Sequence, residues 1–287
     1  MKSFLLVLTL TLLSSTLCRA ELKVVMLDVG MGQSILLAEN NHGILIDTGL
    51  SSYGEHISQR MHVYGVKKLD YLILSHLHPD HAGGYLQIRD TWPNTPVFDD
   101  CHISPILHPS EQIFFDRTRK NLSNDPLHQC LEAGDSFVWQ GNTITTLWPK
   151  KTNKATDINA HSLVLLVSTS QGRTVLIMGD VNKTVEREIT PIIKPLLSNS
   201  DLDLYIVNHH GAIDTSSLEF LQMLHPKIAL ISVGKENPYG YPAETTLNML
   251  RSHVEKILRT DHDGEICFEI RDEFFMPCFL PQQQSEK

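Results

Sequence analysis

Three imidazoles and a carboxylate fall within one short segment, His76-Leu77-His78-Pro79-Asp80-His81. They follow a mostly apolar run, Leu69 to Leu74, and precede Ala82-Gly83-Gly84. Imidazole and carboxylate suit zinc and related divalent ions. The spacing H-x-H-x-D-H divides into two pairs. His76 and His78 share one face of an extended segment, because alternate side chains point the same way. Asp80 and His81 lie beyond Pro79, where the chain turns, and can face a second ion. A solvated histidine-rich loop is the plainer account. Against it, ligand-type residues recur at strand ends, at Asp180 and at His209-His210.

Those side chains need a scaffold, and the hydrophobic pattern supplies one. Leu22 to Leu27 and Ser34 to Ala38 read as a hairpin around Gly30-Met31-Gly32. A strand follows this G-x-G where a dinucleotide site requires a helix, so that reading fails. Gly43 to Asp47 and Leu69 to Leu74 are strands, and Glu55 to Val63 is a helix by its spaced apolar positions. Pro93 to Glu132 is rich in Pro, Asn, Asp and Ser and reads as irregular insertion and loop with at most one strand or helix. Ser136 to Trp139 and Thr143 to Trp148 resume the strand pattern. Ser162 to Ser168 and Arg173 to Met178 form a hairpin around Gln171-Gly172. Leu202 to Val207, Ile228 to Val233 and Ile257 to Arg259 are further strands. Asn182 to Ile189, Leu218 to Leu224 and Thr245 to Arg251 are helices. Strand clusters alternating with amphipathic helices predict an α/β fold, two sheets between helical layers.

Residues 1–20 read as a secretory leader, with Lys2, an apolar stretch Phe4 to Leu13 and small residues before a cut after Ala20. The expectation is therefore a leader at 1–20, one large α/β domain at 21–281 and a polar tail at 282–287. The product is exported, periplasmic or extracellular, without stable membrane insertion after cleavage. The chain has 287 residues and a formal charge of −9, which becomes −11 when Lys2 and Arg19 leave with the leader. That charge argues against a broad electrostatic surface for nucleic acid. It leaves room for a nuclease that holds phosphate through metals and a local basic strip. Cys101, Cys130, Cys267 and Cys278 remain after cleavage, and export permits disulfides. Glu265 to Arg271 and Phe274 to Phe279 read as a hairpin around Asp272-Glu273. If Arg271 faces Phe274, four steps outward Cys267 faces Cys278, which pairs them and leaves Cys101 with Cys130 by elimination. Two reduced, buried cysteines are the alternative.

H-x-H-x-D-H resembles the signature of the metallo-β-lactamase superfamily. Leu27-Asp28-Val29-Gly30-Met31-Gly32-Gln33-Ser34, Ile44-Leu45-Ile46-Asp47-Thr48-Gly49, Val207-Asn208-His209-His210-Gly211, the segment Ser232 to Pro242 and Arg259-Thr260-Asp261-His262-Asp263-Gly264 look like one branch of it. That branch is the extracellular hydrolase domain of the ComEC competence proteins and their stand-alone relatives. The resemblance covers Leu22 to about Ile270. It implies an αββα sandwich of two mixed sheets and two divalent ions, zinc or manganese. It implies that His76 and His78 hold the first ion, that Asp80, His81 and His210 hold the second, and that Asp180 bridges them. His209 is then the residue beside the site, although the reverse order of His209 and His210 stays open. The third ligand of the first ion is less defined. His161 is one choice, and an active-site hydrogen bond or a surface role are the others. Tyr241 stands where the branch usually has histidine, and Gln33 where it usually has aspartate. Lys235 lies near the same rim and could hold an anionic group or be solvated. The implied chemistry is attack by a metal-activated hydroxide, with Asp80 orienting it. The expected substrate is a small-molecule or nucleic-acid phosphodiester. An ester, lactone or β-lactam is the alternative, and a binding protein with a degraded site is a third reading.

Overall fold

The computed structural model describes residues 21–102, 107–197, 201–271 and 274–278. The expected leader and tail, and Asp272 and Glu273, the expected turn, lie outside them. The strands, in chain order, are β1 Lys23–Met26, β2 Ile35–Glu39, β3 His42–Ile46, β4 Lys68–Ile73, β5 Val97–Asp99, β6 His128–Cys130, β7 Ser136–Trp139 and β8 Asn142–Trp148. They continue with β9 Val164–Ser168, β10 Thr174–Ile177, β11 Leu204–Ile206, β12 Ile228–Ile231, β13 Lys256–Arg259, β14 Ile266–Arg271 and β15 Phe274–Pro277. They make two sheets. One has the order β15-β14-β1-β2-β3-β4-β5-β6 and the other β13-β12-β11-β10-β9-β8-β7. Both are mixed: β3 to β6 and β10 to β13 run parallel, and the remaining pairs are antiparallel.

Side-chain alternation explains the layering. Val24, Met26, Ile35, Leu37, Ile44 and Ile46 point between the sheets and meet Leu165, Val167, Val175, Ile177, Leu204 and Ile206. Val25, Leu36 and Leu45 point outward onto Ile57 and Met61 of the helix Gly54–Val63, Ile88 of Tyr85–Thr91 and Phe115 of Pro109–Ser123. The other outer face packs Val185, Ile189 and Ile193 of Lys183–Leu196, Phe220 and Leu221 of Leu218–Leu224, and Leu247 and Leu250 of Glu244–His253. The central strands β1, β2, β3, β9, β10, β11 and β12 therefore have no wet face, and their near-continuous apolar runs follow from that. The architecture is the expected αββα sandwich.

Two regions differ from expectation. The segment 93–132 is not an irregular insertion: it carries β5, the helix Pro109–Ser123 and β6. That helix is mostly polar, and Phe115 and Leu122 are its apolar side chains in the buried core. Its apolar stripe was thus too thin to register as a period. The helix expected to end near Ile189 runs from Lys183 to Leu196 through Pro191 and Pro195. Both prolines are exposed, so water can solvate the carbonyls that their missing N–H groups release.

The C-terminal hairpin has the predicted register. Arg271 faces Phe274 and Phe268 faces Pro277, and the Cys278 amide donates to the Cys267 carbonyl at 3.1 Å. Cys267 and Cys278 are disulfide-bonded with Cα atoms 5.3 Å apart, and Cys101 and Cys130 with Cα atoms 5.4 Å apart.

Candidate metal centre

The ends of several strands converge at one edge of the sandwich. After β4 the chain bends at Ser75, His78 is extended, and Pro79 then opens a single helical turn, Pro79–Ala82. Proline suits that first helical position, where its missing N–H costs nothing. The break rotates Asp80 and His81 away from His76 and His78, which produces the expected division of the motif. Asp180 follows β10 through Gly179. A Cβ at Gly179 would lie 2.7 Å from the Ser162 Cβ, and its φ is +52°, so only glycine lets the chain pass. His209 and His210 both lie in the left-handed region, at φ 48° and 53°. Asp47, directly after β3, does too, at φ 62°. Such backbone is costly for residues with a Cβ and persists where surrounding contacts enforce it.

Two trios of ligand atoms result. His76, His78 and Asp180 form one; Asp80, His81 and His210 form the other. Asp180 reaches both. Its Oδ1 lies 3.1 Å from His81 Nε2, and its Oδ2 lies 3.9 Å from the Nε2 atoms of His76, His209 and His210. Asp80 Oδ2 is 3.3 Å from His210 Nε2.

The tautomers decide what these contacts can be. Asp47 Oδ2 lies 2.8 Å from His81 Nδ1, and the Ser232 carbonyl lies 2.8 Å from His210 Nδ1. Carboxylates and carbonyls accept, so both Nδ1 atoms carry protons. In the neutral rings, each Nε2 then turns a lone pair toward Asp180 or Asp80. His76 Nε2 and His78 Nδ1 face each other at 3.0 Å. Among buried polar atoms, His81 Nε2, His210 Nε2 and Asp180 Oδ1 have no hydrogen-bond partner. These buried nitrogens and carboxylate oxygens converge on positive charge, whether ring protons or ions supply it, and the donor set fits divalent metals of the zinc or manganese kind.

The electrostatics agree. Burial, reinforced by His81, holds His76 well below the usual imidazole range, and burial also lowers His78. Burial opposes charge on His81 as well, but Asp180, Asp47 and Asp80 outweigh it and raise His81 well above that range. Asp180 and Asp80 raise His210 against its burial. In return, His81 and His210 outweigh burial and hold Asp180 and Asp80 below the ordinary carboxylate value. The carboxylates demand positive charge at this point.

Three contributors were not singled out in the sequence. Asp47 is fully buried and accepts from the Ser75 amide at 2.7 Å, from Ser75 Oγ at 2.8 Å and from Gln33 Nε2 at 2.8 Å while it holds His81. It fixes the ring of a candidate ligand, as outer residues of metal sites do. A charged residue closing the apolar strand Ile44-Leu45-Ile46 was the available signal. Gln33, where the branch usually has aspartate, is thereby explained as a neutral donor to Asp47. Ser162 Oγ accepts from the Asp180 amide at 3.0 Å and lies 3.2 Å from His76 Nδ1. Asn159 lines the cleft, and its buried Oδ1 has no partner.

The structure corrects the placement of His161, which does not join His76 and His78. It lies instead with Asp100 and His102. His161 ends a three-residue 3₁₀ turn, Asn159–His161. With about three residues per turn, positions two apart point in different directions, so Asn159 faces the cleft and His161 faces away. Lys235 is exposed and is not among the residues lining the cleft.

The centre opens into a cleft of about 490 Å³. His78, Asp80, Asp180, His209 and His210 form its floor; Met31, Leu50, Pro79, Pro238, Tyr239 and Tyr241 form an apolar and aromatic rim. The Tyr241 ring stacks on Tyr239 at 5.5 Å and lies edge-on to His209 at 5.5 Å. Burial, then the carboxylates of Asp180 and Asp214, raises Tyr241, so its phenol stays protonated as a donor. A cavity of about 610 Å³ over Trp148 and Asn182 is larger but has no histidine in its lining.

Comparison with known proteins accounts for this arrangement. The profile of the Metallo-beta-lactamase superfamily matches residues 27–235. Recombination protein 2 of Haemophilus influenzae is 30% identical over 280 residues, covering 96% of this chain and 32% of its own length. ComE operon protein 3 of Bacillus subtilis is 29% identical over 272 residues, covering 88% and 34%. Competence protein ComA of Neisseria gonorrhoeae is 29% identical over 249 residues, covering 86% and 32%. The chain thus spans about a third of the length of these relatives. Among solved structures, the metallo-beta-lactamase fold protein YhfI from Bacillus subtilis aligns over 87% of this chain and all of its own, with a TM-score of 0.55 at 13% identity, a likeness of fold alone. Sequence match, strand order and the paired ligand trios agree: the chain belongs to the metallo-beta-lactamase superfamily, with competence-related homologues.

Proposed function

We propose that this protein is an exported hydrolase that uses two divalent ions to cleave phosphodiesters. The observation that carries the reading is Asp180, a buried member of the first trio that also reaches the second, with Oδ1 3.1 Å from His81, Oδ2 3.9 Å from both His76 and His210, and no hydrogen-bond partner on Oδ1. When bound, a pair of ions at such a site lowers the pKa of water and neutralises charge on a phosphoryl group. The chain's residues do the rest. Asp180 holds the two positions together. Asp80 is at the mouth, its side chain 25% exposed, and is placed to accept the proton of the attacking water. His209, 22% exposed, and the Tyr241 phenol can donate to a phosphoryl or leaving-group oxygen. The tyrosine rim gives a flat surface for a base or another planar group. The names of the relatives, which include a competence protein and a recombination protein, favour a nucleic-acid phosphodiester over a lactone or β-lactam. The acidic chain and Glu111 in the cleft favour a short or single-stranded substrate over an extended duplex. The two disulfides support export.

The test is a panel on metal-loaded protein lacking residues 1–20: single-stranded DNA, a bis-nitrophenyl phosphodiester, a lactone and a cephalosporin. Phosphodiester cleavage should lead. A hundredfold preference for the lactone would reverse the substrate assignment, and no hydrolysis of any of them with both ions bound would remove the enzymatic one.

A further inference from the structure

We propose that Asp100, His102 and His161 form a separate site for a zinc-class divalent ion, outside the centre described above. Their ligand atoms lie within 4.8 Å of one another. Asp100 follows β5, and Cys101, with φ 55°, turns the chain so that His102 comes back beside it. The Cys101–Cys130 disulfide ties this turn to β6. The His102 and His161 rings stack with centroids 3.5 Å apart and planes 18° apart. The side chains of Asp100 and His161 are 3% and 5% exposed.

Hydrogen-bond accounting points to a cation. His161 Nε2 lies 2.8 Å from the Ala155 carbonyl, which can only accept, so the ring proton sits on Nε2. The neutral ring then turns its Nδ1 lone pair toward Asp100 Oδ2, 3.5 Å away. That carboxylate oxygen and His102 Nε2 are both buried without a hydrogen-bond partner. A proton on His161 Nδ1 would serve that one contact and leave His102 Nε2 stranded. A metal ion serves all three atoms. A ligand histidine whose other nitrogen donates to a backbone carbonyl is the usual arrangement in metal sites. Arg119 Nη2 approaches the other oxygen, Asp100 Oδ1, at 3.6 Å, and its Nη1 pairs with Asp99 at 2.6 Å, leaving Oδ2 free to bind. A cavity of about 210 Å³ lies beside the trio, with room for a water as fourth ligand, as tetrahedral zinc requires. The nearby group Asp99, Cys101 and His128 offers no rival site, because Cys101 is in the disulfide and Asp99 is held by Arg119 and His128. An ion here would fix the turn that carries Asn159 into the main cleft and precedes Ser162, and so brace the main centre from behind.

The experiment counts zinc per chain by elemental analysis after desalting, on oxidised protein checked for fold by circular dichroism. A variant with both trios of the main centre broken, His78→Ala with Asp180→Ala and His210→Ala, should retain one ion. Adding His102→Gln or, separately, Asp100→Asn should remove it. With the main centre intact, His102→Gln should lose one ion and keep the others. X-ray absorption of the ion left in the main-centre variant should show nitrogen and oxygen neighbours. An unchanged count in both His102→Gln and Asp100→Asn, or sulfur ligation, would overturn the proposal. A main-centre variant that folds and holds no zinc would do the same. Failure of the dimetal reading is seen separately, as an Asp180→Ala chain that keeps its full count while His102→Gln still loses one.

Discussion

Asp47 offers the sharpest test of how the centre is held. Its Oδ2 receives three donors, from Ser75 Oγ, Gln33 Nε2 and His81 Nδ1, and its Oδ1 receives the Ser75 amide. In Asp47→Asn, the amide nitrogen must replace one of these oxygens. Placed at the Oδ2 position it confronts three donors, so it takes the Oδ1 position and leaves the Ser75 amide unsatisfied. One orphaned buried donor costs about 1–3 kcal/mol. His81 meanwhile loses its charged partner and is less firmly aimed at the second ion. Loss of such an orienting group weakens metal binding about 10–100-fold, which is roughly 1.4–2.8 kcal/mol. Asp47→Ala strands every donor and should cost about 3–5 kcal/mol of folding stability, the range for removing one member of a buried charged network. Competition with a chromophoric chelator reads zinc affinity, and urea unfolding of the metal-free chain reads stability. A selective weakening of one zinc, with the other unchanged, is expected for Asp47→Asn. If both ions bind with unaltered affinity and hydrolysis is intact, Asp47 does not position His81 and the argument from its geometry is wrong.

Other outcomes follow from the same contacts. Asp180→Ala should reduce phosphodiester hydrolysis to background and lower the zinc count without changing the circular dichroism spectrum; full activity would end the dimetal reading. Gln33→Glu sets a second carboxylate in place of a donor 2.8 Å from Asp47, and urea unfolding should show a loss of about 1.5–3 kcal/mol, the worth of a hydrogen bond to a charged group; no loss would mean the amide is not needed there. Glu186, fully buried, accepts from the Ser216 amide at 2.6 Å, the Ser217 amide at 2.8 Å and Asn208 Nδ2 at 3.0 Å, so Glu186→Ala should destabilise the chain by about 3–5 kcal/mol and loosen His209 and His210, seen as a weaker zinc affinity. Lys68, Trp139 and His42 overcome the burial of Asp70 and hold it below the ordinary carboxylate value. A depressed folded value means that its stabilisation is present at neutral pH and is lost as pH falls through that lowered value. Asp70→Asn should therefore lower stability slightly at pH 7, by about 1 kcal/mol or less after screening, read as a small fall in Tm, and the gap should close below about pH 4; a gap that widens in acid would reverse the sign.

Much of the scaffold was legible because its strands are buried on both faces or alternate strictly. The C-terminal hairpin is the clearest case: period-two pairing outward from Arg271 and Phe274 brought Cys267 to Cys278. The H-x-H-x-D-H segment was legible because Pro79 marks the change from extended chain to helical turn. The segment 93–132 was not, because turn-forming residues dominate its composition while its helix and two short parallel strands are held by distant partners, Leu72 with Val97 and Val97 with His128. His161 went astray for a different reason. It was read as a choice for the first trio, but a 3₁₀ turn rotates it away from the cleft that Asn159 faces. Asp47 was quoted only as part of a motif, since nothing in a one-dimensional sequence shows that a carboxylate after β3 meets a histidine after β4.

The left-handed backbone at Asp47, His209 and His210 ties these threads together. Each such residue costs on the order of 1–3 kcal/mol, and the three flank the same small volume. Different contacts hold each in place. Asp47 is held by the Ser75 and Gln33 donors. The His209 amide donates to the Gly179 carbonyl at 3.0 Å, which fastens the histidine pair directly to the strand end that presents Asp180. Glu186 gathers Asn208, Ser216 and Ser217 behind that pair. The strain is thus opposed by networks that lie on the sandwich and not on the ligands themselves. The outer residues fix the inner ones by named contacts: Asp47 holds the His81 ring, Ser162 holds the Asp180 amide, and Glu186 holds Asn208 directly ahead of His209 and His210. Asp47, Ser162 and Glu186 are therefore as much a part of the candidate centre as the side chains that face the cleft.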